Sequence, residues 1–209
     1  MKGQFITFEG GEGSGKSTHV AKLAARLRTE GLDVVTTREP GGTAEAEAIR
    51  ALLVSGEIGR WTAEAETLLN YAARDSHLVK LIRPALMAGA CVISDRFMDS
   101  TRAYQGYAGD CDMGLIDNLE RAIVGGTRPR LTLIFDLDPL EGLARAKARN
   151  DVEDRYERKG LAFHKRLREG FLDIARKEPQ RCRVIDAGAD IAEVENQVWL
   201  EVTKALAIG

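Results

Sequence analysis

Gly10 is followed by four residues and then by Gly15, Lys16 and Ser17. That spacing suits a loop that wraps phosphate. Glycines let successive backbone N–H groups turn inward on phosphate oxygens. A lysine at this position reaches the terminal phosphates, and the hydroxyl after it helps hold Mg²⁺. The expected phosphate loop comprises Gly10, Gly11, Glu12, Gly13, Ser14, Gly15, Lys16, Ser17 and Thr18. Glu12 places a carboxylate in its middle. A loop that only cradled polyphosphate would gain nothing from that charge. A loop that also walls a second site could use it to bind a sugar hydroxyl or to orient an arginine. A solvent-facing loop acid is the alternative. A second group, Asp95 and Arg96, ends an apolar run. Asp95 can act on Mg²⁺ or its waters, and Arg96 can clamp a phosphate with its fork. A third group is the basic run Arg145, Lys147, Arg149, Arg155 and Arg158. Moving a phosphoryl group between two anions needs positive charge at the group in transit, and the phosphate loop has no arginine of its own.

The elements that must position these groups follow from periodicity and punctuation. Residues 4–9 are short, apolar and β-rich and predict a strand; 16–28 carry Val20, Leu23, Ala24 and Leu27 on one helix face, with Gly31 as a stop. Residues 32–37 predict a second strand, so the chain opens with a β-loop-α-β unit. Helical patterns cover 44–54 and 62–87, the latter kinked by Pro84. Residues 90–94 form a continuously apolar third strand, 112–124 a helix ending at Gly125-Gly126, and 130–137 a fourth strand. Asp138, Pro139 and Glu141 read as cap, first-turn proline and first-turn acid of a helix running toward Arg149. A helix over 156–177, a strand over 182–186 and a last helix capped by Asp190 and Glu193 complete the chain. Strands alternating with helices predict an α/β fold, a doubly wound five-stranded parallel sheet with helices on both faces. Ligands of such sheets bind at the strand C-termini.

Bulk properties narrow the function. A chain of 209 residues suits one α/β domain, and 44% hydrophobic with 30% charged residues argues against disorder. A net charge of −2 gives no global basic field for nucleic acid. Three cysteines with no C-x-x-C pair fit reduced thiols in a cytoplasm. No stretch approaches a membrane span. His19, His77 and His164 are isolated, without metal-ligand spacing. The loop and its flanks therefore predict a nucleoside triphosphate binder, and no N-K-x-D guanine signature is present.

The segments that choose among such proteins are "REPGGT" followed by "EAIRALL", "YAARDSHL", the run Asp95-Arg96-Phe97-x-x-Ser100-Thr101-x-Ala103-Tyr104-Gln105, then "DLDP", "DRYE" and "VIDA". In these, and in their order over nearly the whole chain, the sequence resembles the bacterial thymidylate kinases. The resemblance implies ATP as phosphoryl donor, Mg²⁺, dTMP as acceptor and a homodimer. Arg96 and Arg50 would bind the dTMP phosphate, with Arg38 nearby. Arg74 would meet the thymine edge and Thr101 its N3, while Gln105 closes over the nucleotide. Pro40, Asn70, Ser100 and Tyr104 complete the implied acceptor site, and Glu12 would face it. A mobile lid would cover about 145–158, with Arg149, or else Arg145, reaching ATP. Lys16, Arg96, Arg149 and Glu12 are thereby the expected catalytic set, and Ser17 and Asp95 the metal site. The sequence departs from the family at the base. Many members carry an aromatic four residues before the base-reading arginine, where this chain has Asn70; Tyr71 follows one step later, so either Tyr71 stacks in a shifted pose or the stacking comes from elsewhere. Another P-loop nucleotide or deoxynucleoside kinase, with Glu9 or Glu12 as base, and a non-catalytic nucleotide switch are the rival readings.

Overall fold

In a computed structural model, residues 3–148 and 155–206 are described. The strands are β1 (Gln4–Gly10), β2 (Val34–Arg38), β3 (Cys91–Asp95), β4 (Leu131–Asp136) and β5 (Cys182–Asp186). All pair in parallel, in the order β2-β3-β1-β4-β5. Register brings Arg38 and Phe8 beside Asp95, and Gly10 beside Phe135. The C-terminal ends of β1, β2 and β3 thus form one edge, where the phosphate loop, Arg38 and Asp95–Arg96 emerge together. The order reverses at β1, the usual place for a ligand crevice.

Helices cover both faces. On one, α1 (Lys16–Thr29) and α9 (Ile191–Leu206) bury Leu23, Leu27, Val194 and Val198 against Ile6, Phe8, Ile93 and Leu133. On the other, Phe5 and Val92 pack beneath Leu78, Ile82 and Ile116. Ile134 meets Phe163, Leu167 and Phe171 of α8 (Leu161–Lys177). Alternation along each strand sends neighbouring side chains to opposite faces, so both layers bury apolar surface. Caps fall where the sequence places them. Asp138 accepts from the Leu140 N–H at the start of α7 (Pro139–Lys147), and Asp190 from the Glu193 N–H at the start of α9; α2 (Ala44–Val54) has a further cap in Thr43, which accepts from the Ala46 N–H.

Three segments differ from the sequence-based expectation. The rod over 62–87 is α3 (Ala63–His77), a π turn (Leu78–Ile82) and α4 (Arg83–Met87). The wider turn lets the Arg83 N–H reach the Leu78 carbonyl one turn before Pro84, which has no N–H to give. The stretch after Arg96, with no predicted helix, winds into α5 (Met98–Thr101) and a π turn (Arg102–Tyr107). Its pattern is masked by small and polar residues that face inward toward a site. The expected helix over 156–177 is interrupted: Glu157–Lys159 form a 3₁₀ turn, and Gly160, at φ 82°, redirects the chain into α8. The helix expected over 112–124 is present as α6 (Met113–Leu119), capped by Asp112, and ends in a third π turn (Glu120–Val124).

Candidate active site

The phosphate loop runs from β1 into α1. Gly13 and Gly15 take positive φ, 69° and 82°, as inward-turned N–H groups require. Lys16 is buried and folds over the loop, donating to the Gly10 and Gly11 carbonyls (3.1 and 2.7 Å) and to the Ser14 hydroxyl (3.1 Å). Burial, then the neighbouring Arg96, lowers its ammonium to about 8. Ser17 Oγ donates to Asp95 Oδ2 at 2.6 Å. A hydroxyl and a carboxylate, both hard oxygen ligands at the mouth of this loop, suit Mg²⁺. Among the described residues no cluster of three or more His, Cys, Asp or Glu side chains offers another metal site. Thr18 is exposed on the first turn of α1.

Arg96 stands between the loop and a second cavity. Its backbone is left-handed (φ 70°), held by its N–H to the Phe8 carbonyl and by the Ser94 hydroxyl on its own carbonyl. Strain of this kind persists where the surroundings over-determine it. The guanidinium donates to the Gly10 carbonyl at 2.9 Å, to both Glu12 oxygens at 3.2 Å and to the Ser100 hydroxyl at 3.2 Å. The Tyr104 hydroxyl donates to Glu12 at 2.5 Å, and its ring lies 4.9 Å from the guanidinium carbon. Burial pushes the Glu12 carboxyl up, but Arg96, Lys16 and the Tyr104 hydroxyl outweigh it and hold it at about 2. Of the two uses open to Glu12, the geometry therefore shows the arginine-orienting one.

Glu9, behind Arg96, is fully buried. It accepts from the Phe97 N–H at 2.8 Å and the Ser100 hydroxyl at 2.5 Å, and so fixes the start of α5. Burial, then Asp99, pushes its carboxyl up to about 8. Asp99 takes a bidentate pair from Arg181 at 2.7 Å for each bond.

Two cavities meet at Arg96. One holds the loop with Ser17, Asp95, Arg38 and Arg50. The other is lined by Glu12, Pro40, Arg50, Asn70 and Arg96, and by Ser100, Thr101, Tyr104 and Gln105. Every one of those nine is a sequence-predicted acceptor residue. Glu39, Val54, Tyr156 and Glu157 also line it and were missed. Glu39 carried a signal, as the acid between the arginine and proline of "REPGGT". Tyr156 and Glu157 carried one too, as the last two residues of "DRYE", but their place on the cavity depends on how the chain returns after α7. Glu39 follows β2, precedes a cis peptide to Pro40, and binds Arg74 Nε (2.8 Å) and His77 Nδ1 (3.0 Å). Arg74 is buried behind the cavity lining, also donating to the Phe97 carbonyl and Thr101 hydroxyl, and its Nη1 has no hydrogen-bond partner among the described residues. Arg38 is half exposed and pairs with Glu47 at 3.1 Å.

Three expectations are corrected. Tyr71 does not line the cavity: it is core, 1% exposed, and packs 4.6 Å from the Arg74 guanidinium carbon. One step along a helix turns a side chain by about 100°, which leaves Asn70 on the cavity and Tyr71 beneath it. Arg155 presents no free charge to phosphate: it is 1% exposed and paired with Glu66 at 2.6 Å. Arg158 donates to the Gly56 carbonyl and is not among the residues lining the loop cavity. Arg145 pairs with Glu141 one turn back at 2.5 Å and reaches the Ala187 carbonyl. Arg149, and the lid segment over 149–154, lie outside the described residues.

This arrangement has counterparts. A family model described as thymidylate kinase matches residues 8–198. The thymidylate kinase of Caulobacter vibrioides is 58% identical over 193 residues, 92% of each chain. That of Afipia carboxidovorans is 49% identical over 208 residues, 99% of this chain and 91% of the other. The crystal structure of thymidylate kinase from Ehrlichia chaffeensis superposes with a TM-score of 0.77 at 39% identity, covering 97% of this chain and 99% of that one. With the loop, the Asp95–Arg96 turn and the adjoining cavity all in place, the chain belongs to the thymidylate kinase family.

Proposed function

We propose that the protein transfers the terminal phosphoryl group of Mg·ATP to dTMP, giving ADP and dTDP. The observation that carries this reading is the junction of two cavities at Arg96, with Arg50 on both. The acceptor attacks through a phosphate oxygen that is already anionic, so no strong base is required. The terminal P–O bond of ATP breaks as the new P–O bond forms, and the electron pair leaves on ADP. Lys16 and the loop N–H groups hold the donor phosphates; Arg96, Arg50 and Arg38 hold the acceptor phosphate. Mg²⁺, held by Ser17 and Asp95, would neutralise donor phosphate charge. Arg74, whose Nη1 has no partner among the described residues, and Thr101 would read the thymine edge. Glu12 holds Arg96 in place. Arg149, or else Arg145, would serve ATP from a lid over about 145–158 that excludes water.

A homodimer belongs to the same proposal, supported by exposed Leu68, Val79 and Met87 along the α3–α4 rod. So does a cytoplasmic setting, supported by three buried free cysteines. No helix among the described residues is long and apolar enough to cross a membrane. A kinase acting on a neutral hydroxyl would need a carboxylate base. Glu12 is tied to Arg96 and Glu9 to Phe97 and Ser100, which leaves neither poised for that role. The test is ADP formation from Mg·ATP with dTMP, dUMP, CMP, AMP, GMP or thymidine. Strong stimulation by dTMP, weaker by dUMP and none by thymidine is expected. Stimulation by thymidine but not dTMP would overturn the acceptor-phosphate reading.

A further inference from the structure

Glu66 lies on α3 with 2% of its surface exposed, and it gathers donors from separate parts of the chain. Arg155 Nη2 donates to it at 2.6 Å, Gln105 Nε2 at 2.9 Å and the Tyr156 hydroxyl at 3.2 Å. Lys159 Nζ stands 3.6 Å away. The other N–H groups of Arg155 go to the Leu53 and Glu57 carbonyls, tying the end of α2 to the same point. Gln105 and Tyr156 line the acceptor cavity, while Glu66 sits behind them.

A carboxylate only accepts hydrogen bonds, whereas an amide offers a donor at one end and an acceptor at the other. Glu66 therefore decides which end of Gln105 turns inward to the protein. The Tyr156 hydroxyl adds to this: having donated to Glu66, it accepts from the same Gln105 Nε2 at 3.4 Å. With the NH₂ so held, the carbonyl Oε1 is the end left for the cavity. Thymine and uracil present an N3–H donor; cytosine presents an N3 acceptor. We infer that Glu66 is a positioning residue that holds the Gln105 amide with its carbonyl toward the acceptor base, and so selects bases carrying N3–H over cytosine. The inference rests on the dTMP reading proposed above.

Glu66→Gln alone would strand Arg155 as a buried charge, so the test pairs it with Arg155→Met. The double variant is expected to raise the KM for dTMP about tenfold and to weaken the preference for dTMP over dCMP by a similar factor, with the KM for ATP unchanged. Arg155→Met alone keeps the Glu66–Gln105 bond and keeps the preference. A double variant with the original dTMP KM and preference overturns the proposal. So does equal loss of preference in Arg155→Met alone. A second measurement needs no variant. In the unaltered, nucleotide-free protein the Gln105 side-chain amide protons should exchange with water far more slowly than those of a free glutamine. Rapid exchange overturns the positioning role whatever the activity. Slow exchange in a protein that shows no dTMP-dependent ADP formation would instead overturn the proposed activity.

Discussion

Arg96 concentrates the chemistry of the site, and its neighbours explain its unusual backbone. Glu12, Gly10 and Ser100 fix the guanidinium, while Phe8 and Ser94 fix the main chain. Arg96→Ala and Lys16→Ala should each lose more than about 100-fold in turnover, as expected for groups that meet transferring phosphate. Both should keep a native circular dichroism spectrum; near-normal turnover in either would remove the role assigned to it. Glu12 gives a pH test. Its carboxyl is held at about 2, below its ordinary value near 4.5. The stabilisation is thus fully present above about pH 4.5 and is lost as pH falls through about 2. Glu12→Gln should be less stable than the unaltered protein by about 2 kcal/mol near neutrality, with the difference vanishing toward pH 2. Melting curves across that range check it, and a gap that persists at pH 2 would assign the effect to packing.

The phosphate loop is shaped as much by α7 as by its own glycines. A Cβ on Gly13 would lie 2.0 Å from the Gly142 carbonyl oxygen, and one on Gly142 would lie 2.4 Å from the Glu12 carbonyl oxygen. Both obstacles are backbone, which cannot swing aside. Gly142→Ala should therefore cost about 1–3 kcal/mol and also weaken ATP binding, because relief comes only by moving the loop. Calorimetric titration with Mg·ATP would read the second effect; an unchanged affinity would mean that α7 yields instead. α5 depends on a different long-range contact. Asp99 is fully buried, and its partner Arg181 precedes β5. Arg181→Met should cost about 3–5 kcal/mol, since it leaves that carboxylate without its counter-charge. Urea unfolding measures this, and a loss under about 1 kcal/mol would mean Asp99 finds another partner.

Across the whole molecule, the sheet order places three strand ends at one crevice, so both nucleotides would brace the same edge. Occupying the sites at about 100 times their dissociation constants should add about 2.7 kcal/mol per ligand. That is a rise in Tm of about 5–10 °C for a chain of this size, and dTMP and Mg·ATP should each give it separately. A rise with ATP alone would favour a nucleotide switch. The parallel α/β sheet, the caps and the phosphate loop were legible in the residues because they depend on neighbours close in the chain: turn glycines, N-cap side chains, apolar runs. Nine cavity residues were legible too, through short motifs that each keep their residues close in the chain, in the phosphate loop, on α2 and α3 and in the turn and helix after β3. The sequence did not show that Tyr71 turns into the core while Asn70 meets the cavity, that Arg155 is spent on Glu66, or that Gly142 abuts the phosphate loop. Each of these was decided by tertiary structure alone, because it depends on which distant segments meet and on helix rotations of about 100° per residue.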